Sequence, residues 1–186
     1  MMLKNNQHLI LIGFKHVGKS SLGKRLSDKL NLPFIDLDRQ IEIWFLRDHS
    51  EQLSCRQIMN TRGADFFRDL EHQTLSALMN DMSESHLIAL GGGTPLTSKN
   101  QALIQPHYLI HITAKPMLVF KRIMKNGKPA FFPADEAPDV FFNRLWMARE
   151  KTYRELAAIT VDNSGRIELA VAQISATLTC PTKSLK

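Results

Sequence analysis

The chain has 186 residues, of which 44% are hydrophobic and 23% are charged, and this length suits one domain with a single core. These proportions exclude a multidomain machine, a collagen-like or coiled-coil chain and a wholly disordered one. The formal net charge of +6 favours anionic partners, but the basic residues are dispersed without a long run, so no nucleic-acid partner is expected.

Short apolar runs and helical patterns alternate along the chain. The apolar, β-prone runs predict strands at residues 8–12, 34–36, 86–90, 108–112 and 158–161. Helical spacing predicts helices at residues 20–30, 38–47, 63–80, 98–105, 117–124, 139–156 and 168–178, and more weakly at 53–59. The proline-rich segment 126–138 is predicted to be a flexible loop, and the tail 180–186 is predicted to fray.

The alternation of strands with helices determines the predicted fold class. Successive βα units produce a parallel sheet whose faces are covered by helices. We therefore predict one α/β domain over residues 1–186, a three-layer sandwich around a central parallel five-stranded sheet. The order of the strands in that sheet cannot be read from the pattern.

Cysteine usage and hydropathy indicate the compartment. Cys55 and Cys180 show neither C-x-x-C nor histidine spacing of a zinc site, so both are predicted to be reduced thiols. The apolar run 9–12 is too short for a signal peptide or a membrane span. We expect a cytoplasmic protein with no membrane partner.

A phosphate-binding motif follows the first predicted strand. Residues 13–20, Gly-Phe-Lys-His-Val-Gly-Lys-Ser, match G-x-x-x-x-G-K-[ST] between a strand and a helix. Glycines let backbone N–H groups surround phosphate oxygens, and the helix N-terminus adds partial positive charge. The motif predicts ATP or GTP binding by Gly13, Lys15, His16, Val17, Gly18, Lys19, Ser20 and Ser21, although Lys15 and His16 are equally consistent with spacers.

Two side chains of this motif have specific predicted tasks. Lys19 is expected to neutralise the β- and γ-phosphates, and the Ser20 hydroxyl is expected to bind Mg²⁺. The N-K-x-D sequence of a small GTPase is absent. The remaining classes are small-molecule kinases and a nucleotide-binding module without turnover.

Two carboxylates follow the second predicted strand. Asp36 and Asp38 are placed to divide two tasks, one supporting Mg²⁺ and the other orienting an attacking hydroxyl. The alternative is that Asp38 caps the following helix.

Five motifs in order resemble those of the shikimate kinases, which are nucleoside-monophosphate-kinase-like P-loop kinases. They are the loop 13–20, the pair Asp36 and Asp38, residues 63–71, the glycines 91–93, and Arg149 four residues before Tyr153. The resemblance covers nearly the whole chain. Taken singly, an arginine is more often a solvated helix charge and a triple glycine merely a loop, so the ordered set carries the resemblance.

The resemblance implies a role for each matching residue. Asp38 would orient or deprotonate the acceptor hydroxyl, and Asp36 would serve Mg²⁺. Arg68 and Arg149 would bind the substrate carboxylate, a role suited to planar guanidinium groups, and Glu71 would hold Arg68. Substrate would lie against the backbone of Gly91, Gly92 and Gly93, and adenine would lie near residues 161–166 with Arg166 as a stacking candidate.

The chain departs from the family pattern at two places. Ala64 replaces the usual glutamate of a Gly-Glu pair, and the segment between Asp38 and Phe67 is longer than usual. In the lid, predicted at 125–139, the usual Arg-Pro is Lys128-Pro129. Lys128 is therefore the candidate catalytic cation, with Lys121, Arg122 and Lys125 as alternatives.

The resemblance implies ATP-dependent phosphorylation of the 3-hydroxyl of shikimate in aromatic amino-acid biosynthesis, with ATP, Mg²⁺ and shikimate as the molecules bound. A monomer is the default expectation. Substrate-binding helices are expected at 38–80. Two alternatives remain open: a kinase for another small polyol such as gluconate, and a nucleotide-binding paralogue without turnover.

Overall fold

The structure is a computed structural model that describes residues 7–125, 132–133 and 135–179. Within these residues five parallel strands form one sheet, in the order β2-β3-β1-β4-β5. The strands are β1 (Leu9–Ile12), β2 (Phe34–Asp36), β3 (Leu87–Ala89), β4 (Tyr108–Thr113) and β5 (Ile159–Asp162). The predicted parallel five-stranded α/β fold is confirmed.

Eight α-helices in the described ranges flank this sheet. They are α1 (Lys19–Leu30), α2 (Leu37–His49), α3 (Cys55–Arg62), α4 (Ala64–Asp81), α5 (Ser98–Ile104), α6 (Pro116–Met124), α7 (Pro138–Leu156) and α8 (Ile167–Thr179). A single 3-10 turn, Thr94–Leu96, precedes α5. Every predicted strand and helix is present, with ends that differ by up to three residues.

No helix in these ranges is long and apolar enough to cross a membrane.

Helix ends differ from prediction where capping decides them. The weak helix expected at 53–59 is α3, which starts two residues later because Ser54 and Gln57 form a reciprocal capping box. Helix α2 begins at Leu37, so Asp36 occupies the N-cap position and Asp38 lies inside the first turn. The alternative that Asp38 caps this helix is therefore wrong.

Strand β1 lies at the centre of the sheet, and this position sets the architecture of the site. Its four residues are fully buried, as expected for a parallel strand with both faces covered. Ile10 pairs with Ile88 of β3 on one side and Leu109 of β4 on the other. The carboxyl ends of β1 and its neighbours therefore open at one edge, where ligands bind in open α/β sheets.

Some expectations fall on residues that the structure does not describe. Outside the described residues lie Lys128, together with the rest of 126–131 and residue 134 of the predicted lid at 125–139, and Cys180 with the tail. The predicted free thiol of Cys55 is present, half-buried at the start of α3.

Candidate active site

The loop between β1 and α1 has the backbone shape that its glycines permit. Gly13 and Gly18 have φ of +141° and +97°, and His16 has φ of +65°. A Cβ atom on Gly13 would stand 2.2 Å from the main-chain oxygen of Ile112 in β4, so only glycine fits there. The loop is thus held against the neighbouring strand.

Lys19 is buried inside the curve of this loop. Its Nζ donates to the main-chain oxygens of Gly13 and Phe14, both at 2.9 Å. Burial lowers the pKa of Lys19 to about 8, although Asp38 and Asp36 favour its charged form. The ammonium group is therefore positioned across the loop, close to both carboxylates.

The remaining loop residues are fixed from outside the loop. The main-chain oxygen of His16 accepts a hydrogen bond from Nη1 of Arg122, at 3.0 Å. The oxygen of Val17 accepts one from Nδ2 of the buried Asn163, at 2.9 Å. The sequence motifs did not indicate Asn163, which follows β5 directly. Its place immediately after a predicted strand is the one signal that could have suggested it.

The residues predicted to bind nucleotide differ in solvent exposure. Val17 is buried, whereas four side chains of the loop and the start of α1 are exposed: Lys15, His16, Ser20 and Ser21. Arg166 is 84% exposed, and its Nε lies 3.9 Å from Glu168. The segment predicted near adenine is thus joined to the loop through Asn163 rather than through Arg166.

Asp38 lies in the first turn of α2, beside the triple glycine. Its Oδ1 would be 2.8 Å from a Cβ on Gly91. The side chain of Asp38 is exposed to solvent. Desolvation raises the pKa of Asp38, and Asp36 and Glu71 raise it further against the opposing effect of Lys19. Asp38 is therefore a stronger base than an ordinary aspartate.

Arg68 and Glu71 form an ion pair on α4. Nη1 of Arg68 donates to Oε2 of Glu71 at 2.6 Å, and Glu71 is 1% exposed. A Cβ on Gly93 would stand 2.5 to 2.7 Å from the guanidinium group of Arg68. The guanidinium group of Arg68 thus lies between the buried carboxylate of Glu71 and the backbone of Gly93. Glu71 holds Arg68, as expected from the sequence.

The backbone of Gly92 lies against the phosphate loop. A Cβ on Gly92 would stand 3.0 Å from the backbone nitrogen of Lys15. The absence of a side chain therefore allows the triple glycine to approach the phosphate loop.

Arg149 reaches the same region from α7. Its guanidinium carbon lies 5.3 Å from the ring centroid of Phe14 in the loop. Desolvation lowers the pKa of Arg149, Tyr153 favours its charged form and Arg68 disfavours it. The hydroxyl of Tyr153 donates to the main-chain oxygen of Gly92. Two guanidinium groups from different helices therefore lie within electrostatic reach of each other.

The predicted site residues with described side chains lie at the carboxyl edge of the sheet, where the Arg166 side chain is 84% exposed. The loop brings Lys19 to the two aspartates, and the triple glycine joins Asp38, Arg68 and the loop. No group of three or more His, Cys, Asp or Glu in the described ranges could hold a metal ion alone. An exposed Ser20 hydroxyl and the half-exposed Asp36 nevertheless fit a Mg²⁺ ion that also binds phosphates and water.

A parallel sheet with β1 central, a phosphate-loop motif after β1 and the Arg68–Glu71 ion pair beside the triple glycine define a P-loop kinase of the nucleoside-monophosphate-kinase-like class. The sequence profile described as shikimate kinase matches residues 15–179. The chain belongs to the shikimate kinase family.

Individual relatives agree with this assignment. The shikimate kinase of Macrococcus caseolyticus is 30% identical over 169 residues, which are 89% of this chain and 92% of that protein. The bifunctional shikimate kinase/3-dehydroquinate synthase of Thermotoga maritima is 28% identical over 151 residues, 81% of this chain and 28% of that protein. The crystal structure of shikimate kinase from Aquifex aeolicus has a TM-score of 0.74 at 27% identity, covering 92% of this chain and 96% of that one.

Proposed function

We propose that this chain transfers the γ-phosphoryl group of ATP to the 3-hydroxyl of shikimate, giving shikimate 3-phosphate and ADP. The observation that carries the proposal is the triple glycine, which contacts the phosphate loop at Gly92 and the Arg68 guanidinium at Gly93. A triphosphate-binding loop and a carboxylate-binding group are therefore adjacent. Membership of the shikimate kinase family supports shikimate as the acid.

The triphosphate is held by the loop 13–20. Its backbone N–H groups and the N-terminus of α1 bind phosphate oxygens. Lys19 has its Nζ on the carbonyls of Gly13 and Phe14, so it is already placed to contact phosphates. Ser20 and Asp36 would hold Mg²⁺, which neutralises phosphate charge when bound.

The acceptor is held by its carboxylate. Arg68 and Arg149 donate to the carboxylate oxygens of the substrate, while Nη1 of Arg68 remains hydrogen-bonded to Glu71. The remaining N–H groups of Arg68 are available to substrate, since a guanidinium group has five donors. This arrangement presents the ring hydroxyls towards Asp38.

Asp38 orients the 3-hydroxyl and takes up its proton. The hydroxyl oxygen forms a bond to the γ-phosphorus as the bond to the β–γ bridging oxygen breaks, and ADP leaves. The raised pKa of Asp38 favours proton acceptance in this step. Catalysis is otherwise a matter of positioning and of neutralising charge.

We also propose that residues 125–139 close over the bound substrates as a lid, with Lys128 supplying positive charge to the transferring phosphoryl group. Lys128→Ala is expected to lower kcat about a hundredfold while ATP affinity changes less than threefold. Turnover and ATP affinity would be measured by steady-state kinetics and calorimetry. Equal losses in both, or no loss, would remove Lys128 from this role.

An ADP-release assay with three arms tests the proposed function. Purified protein with MgATP is given shikimate, gluconate or no acceptor, and Lys19→Met serves as the control for contaminating kinases. Release that depends on shikimate, with a 3-phosphate product by ³¹P nuclear magnetic resonance, supports the proposal. Release that depends on gluconate, or release in no arm, contradicts it.

Size-exclusion chromatography with light scattering tests the expected monomer.

A further inference from the structure

Thr94 is a buried hydroxyl that the mechanism above does not use. It is the first residue of the 3-10 turn that follows the triple glycine, and it is fully buried. Its Oγ1 donates to Oε1 of Glu71 at 2.7 Å. The same hydroxyl would lie 3.0 Å from a Cβ on Gly91, so it sits directly behind the glycines.

Glu71 connects this hydroxyl to the carboxylate-binding arginine. One oxygen of Glu71 accepts from Thr94 and the other accepts from Arg68 at 2.6 Å. Since Glu71 is 1% exposed, water cannot readily replace a donor lost from its carboxylate. The direction of the Thr94 hydroxyl therefore affects how Glu71, and through it Arg68, is held.

Thr94 is itself fixed from behind. Nδ2 of the buried Asn100 donates to the main-chain oxygen of Thr94 at 2.9 Å. Oδ1 of Asn100 lies 2.8 Å from Nδ1 of His72, which follows Glu71 on α4. The turn and the helix are thus joined by polar contacts on both sides of Glu71, which holds the hydroxyl at a defined position.

We propose that Thr94 is a positioning residue for acceptor binding, because it orients the Glu71 carboxylate that aims Arg68 at the substrate carboxylate. The proposal rests on the proposed function through the role given to Arg68. Loss of the hydroxyl should weaken acceptor binding and leave the phosphate loop unaffected. The Thr94 hydroxyl donates to Glu71 of α4, whereas Lys19 donates to the main-chain oxygen of Gly13 within the loop.

Three variants test this proposal. Thr94→Val removes the hydroxyl at nearly constant shape, and Thr94→Ser restores it. Thr74→Val makes the same chemical change at another buried threonine of α4, whose hydroxyl donates to the main-chain oxygen of Leu70. Steady-state kinetics would give kcat and the KM for each substrate, and calorimetry would give the shikimate Kd.

Thr94→Val is expected to raise the KM and Kd for shikimate about tenfold, the effect of losing one hydrogen bond to a buried charged group. Its kcat and KM for ATP should stay within about twofold, because Arg68 acts in binding the acceptor. Thr94→Ser should return the shikimate KM to within about twofold of wild type, and Thr74→Val should leave it unchanged.

Several results would overturn the proposal. They are an unchanged shikimate KM in Thr94→Val, an equal rise in both KM values, failure of serine to restore binding, or the same effect in Thr74→Val. If the valine variant does not fold, Thr94→Ala provides the same comparison against serine. Wild-type protein that fails to use shikimate would instead reject the proposed function, so the two failures are distinguishable.

Discussion

Lys19 combines deep burial with two nearby carboxylates, and this combination makes its protonation depend on ligand. In the free protein its pKa is lowered to about 8 by burial. Phosphate oxygens next to Nζ favour the ammonium form, so bound ATP raises this pKa. The complex therefore holds more protons than the free protein at pH values above about 8, and affinity for ATP should fall as pH rises through that value.

Binding of MgATP should accordingly take up protons. We expect about 0.8 proton per site at pH 8.5 and about 0.1 at pH 7, from a free-state pKa near 8. Calorimetry in buffers of different ionisation enthalpy measures this uptake, with Lys24→Met, an exposed lysine of α1, as the control. Equal uptake at both pH values would show that Lys19 does not supply the proton site.

Arg68 and Arg149, which we propose bind the substrate carboxylate, should not tolerate replacement by lysine. A lysine at position 68 or 149 keeps the charge and loses the planar pair of donors, and at 149 it also loses the stacking of the guanidinium group on Phe14. We expect Arg68→Lys and Arg149→Lys each to raise the KM for shikimate at least about tenfold while the KM for ATP changes little.

Initial-rate measurements with one substrate varied at a time would check this expectation. Arg144→Lys provides a control on α7, since the Arg144 side chain is 67% exposed and pairs with Glu136. An unchanged shikimate KM in both lysine variants would contradict carboxylate binding by these two side chains.

The unit formed by β1, the loop and α1 depends on close contact with β4. The backbone of Gly13 passes the oxygen of Ile112 so closely that a methyl group has no room, and its φ of +141° disfavours other residues. Ile112 is fully buried in β4 and cannot move without disturbing the sheet. The strand order, with β4 next to β1, is what creates this contact.

Gly13→Ala should therefore destabilise the fold by about 3 kcal/mol, through a backbone clash and an unfavourable φ. The matched control is Gly165→Ala, where a Cβ meets nothing within 4 Å and φ is not positive. That change should be neutral or stabilising by up to about 1 kcal/mol. Urea unfolding followed by circular dichroism measures both, and equal stability of the two variants would contradict the contact.

The two edges of the parallel sheet have different chemistry. The carboxyl ends of β1, β2 and β3 open at the phosphate loop and the aspartates. At the amino ends, His8, His86 and His107 lie together. The backbone N–H of His86 donates to Nδ1 of His8 at 3.2 Å, and the N–H of His8 donates to Nδ1 of His107 at 3.2 Å. These contacts require neutral imidazole nitrogens as acceptors.

The three histidines at the amino ends of the strands should make the stability of the whole fold sensitive to acid. Burial, then His107 and His86, lower the pKa of His8 to about 4, below the unfolded value near 6.5. The unfolded chain therefore binds more protons between those values, and the stability present above pH 6.5 is lost as pH falls towards 4. His8 alone should account for about 2 kcal/mol lost by pH 5.

Urea unfolding at pH 7.5 and pH 5 tests this expectation. The difference in unfolding free energy between the two pH values should be about 2 kcal/mol smaller in His8→Gln than in wild type. Carboxylates elsewhere contribute equally to both proteins, so they cancel in the comparison. The same pH dependence in the two proteins would exclude His8 as the acid-sensitive group.

Local patterns carried most of what could be predicted. The run 9–12 predicts a buried strand, the spacing within 13–20 predicts a phosphate loop, and helical spacing predicts each helix because these signals lie within a few residues of one another. The predicted helix ends were less accurate where a capping residue determines the start of the helix. Asp36, rather than Asp38, ends up at the N-cap of α2 because β2 runs straight into that helix.

The linear order of residues was enough to establish the fold class, the phosphate loop and the family resemblance, because each depends on neighbours along the chain. It could not provide the strand order, the approach of Gly92 to the phosphate loop, or the contacts of Thr94 with Glu71 and of Asn163 with Val17. Those contacts join residues separated by 23 to 146 positions. They exist only once helices pack on the sheet, since packing alone decides which distant side chains become neighbours.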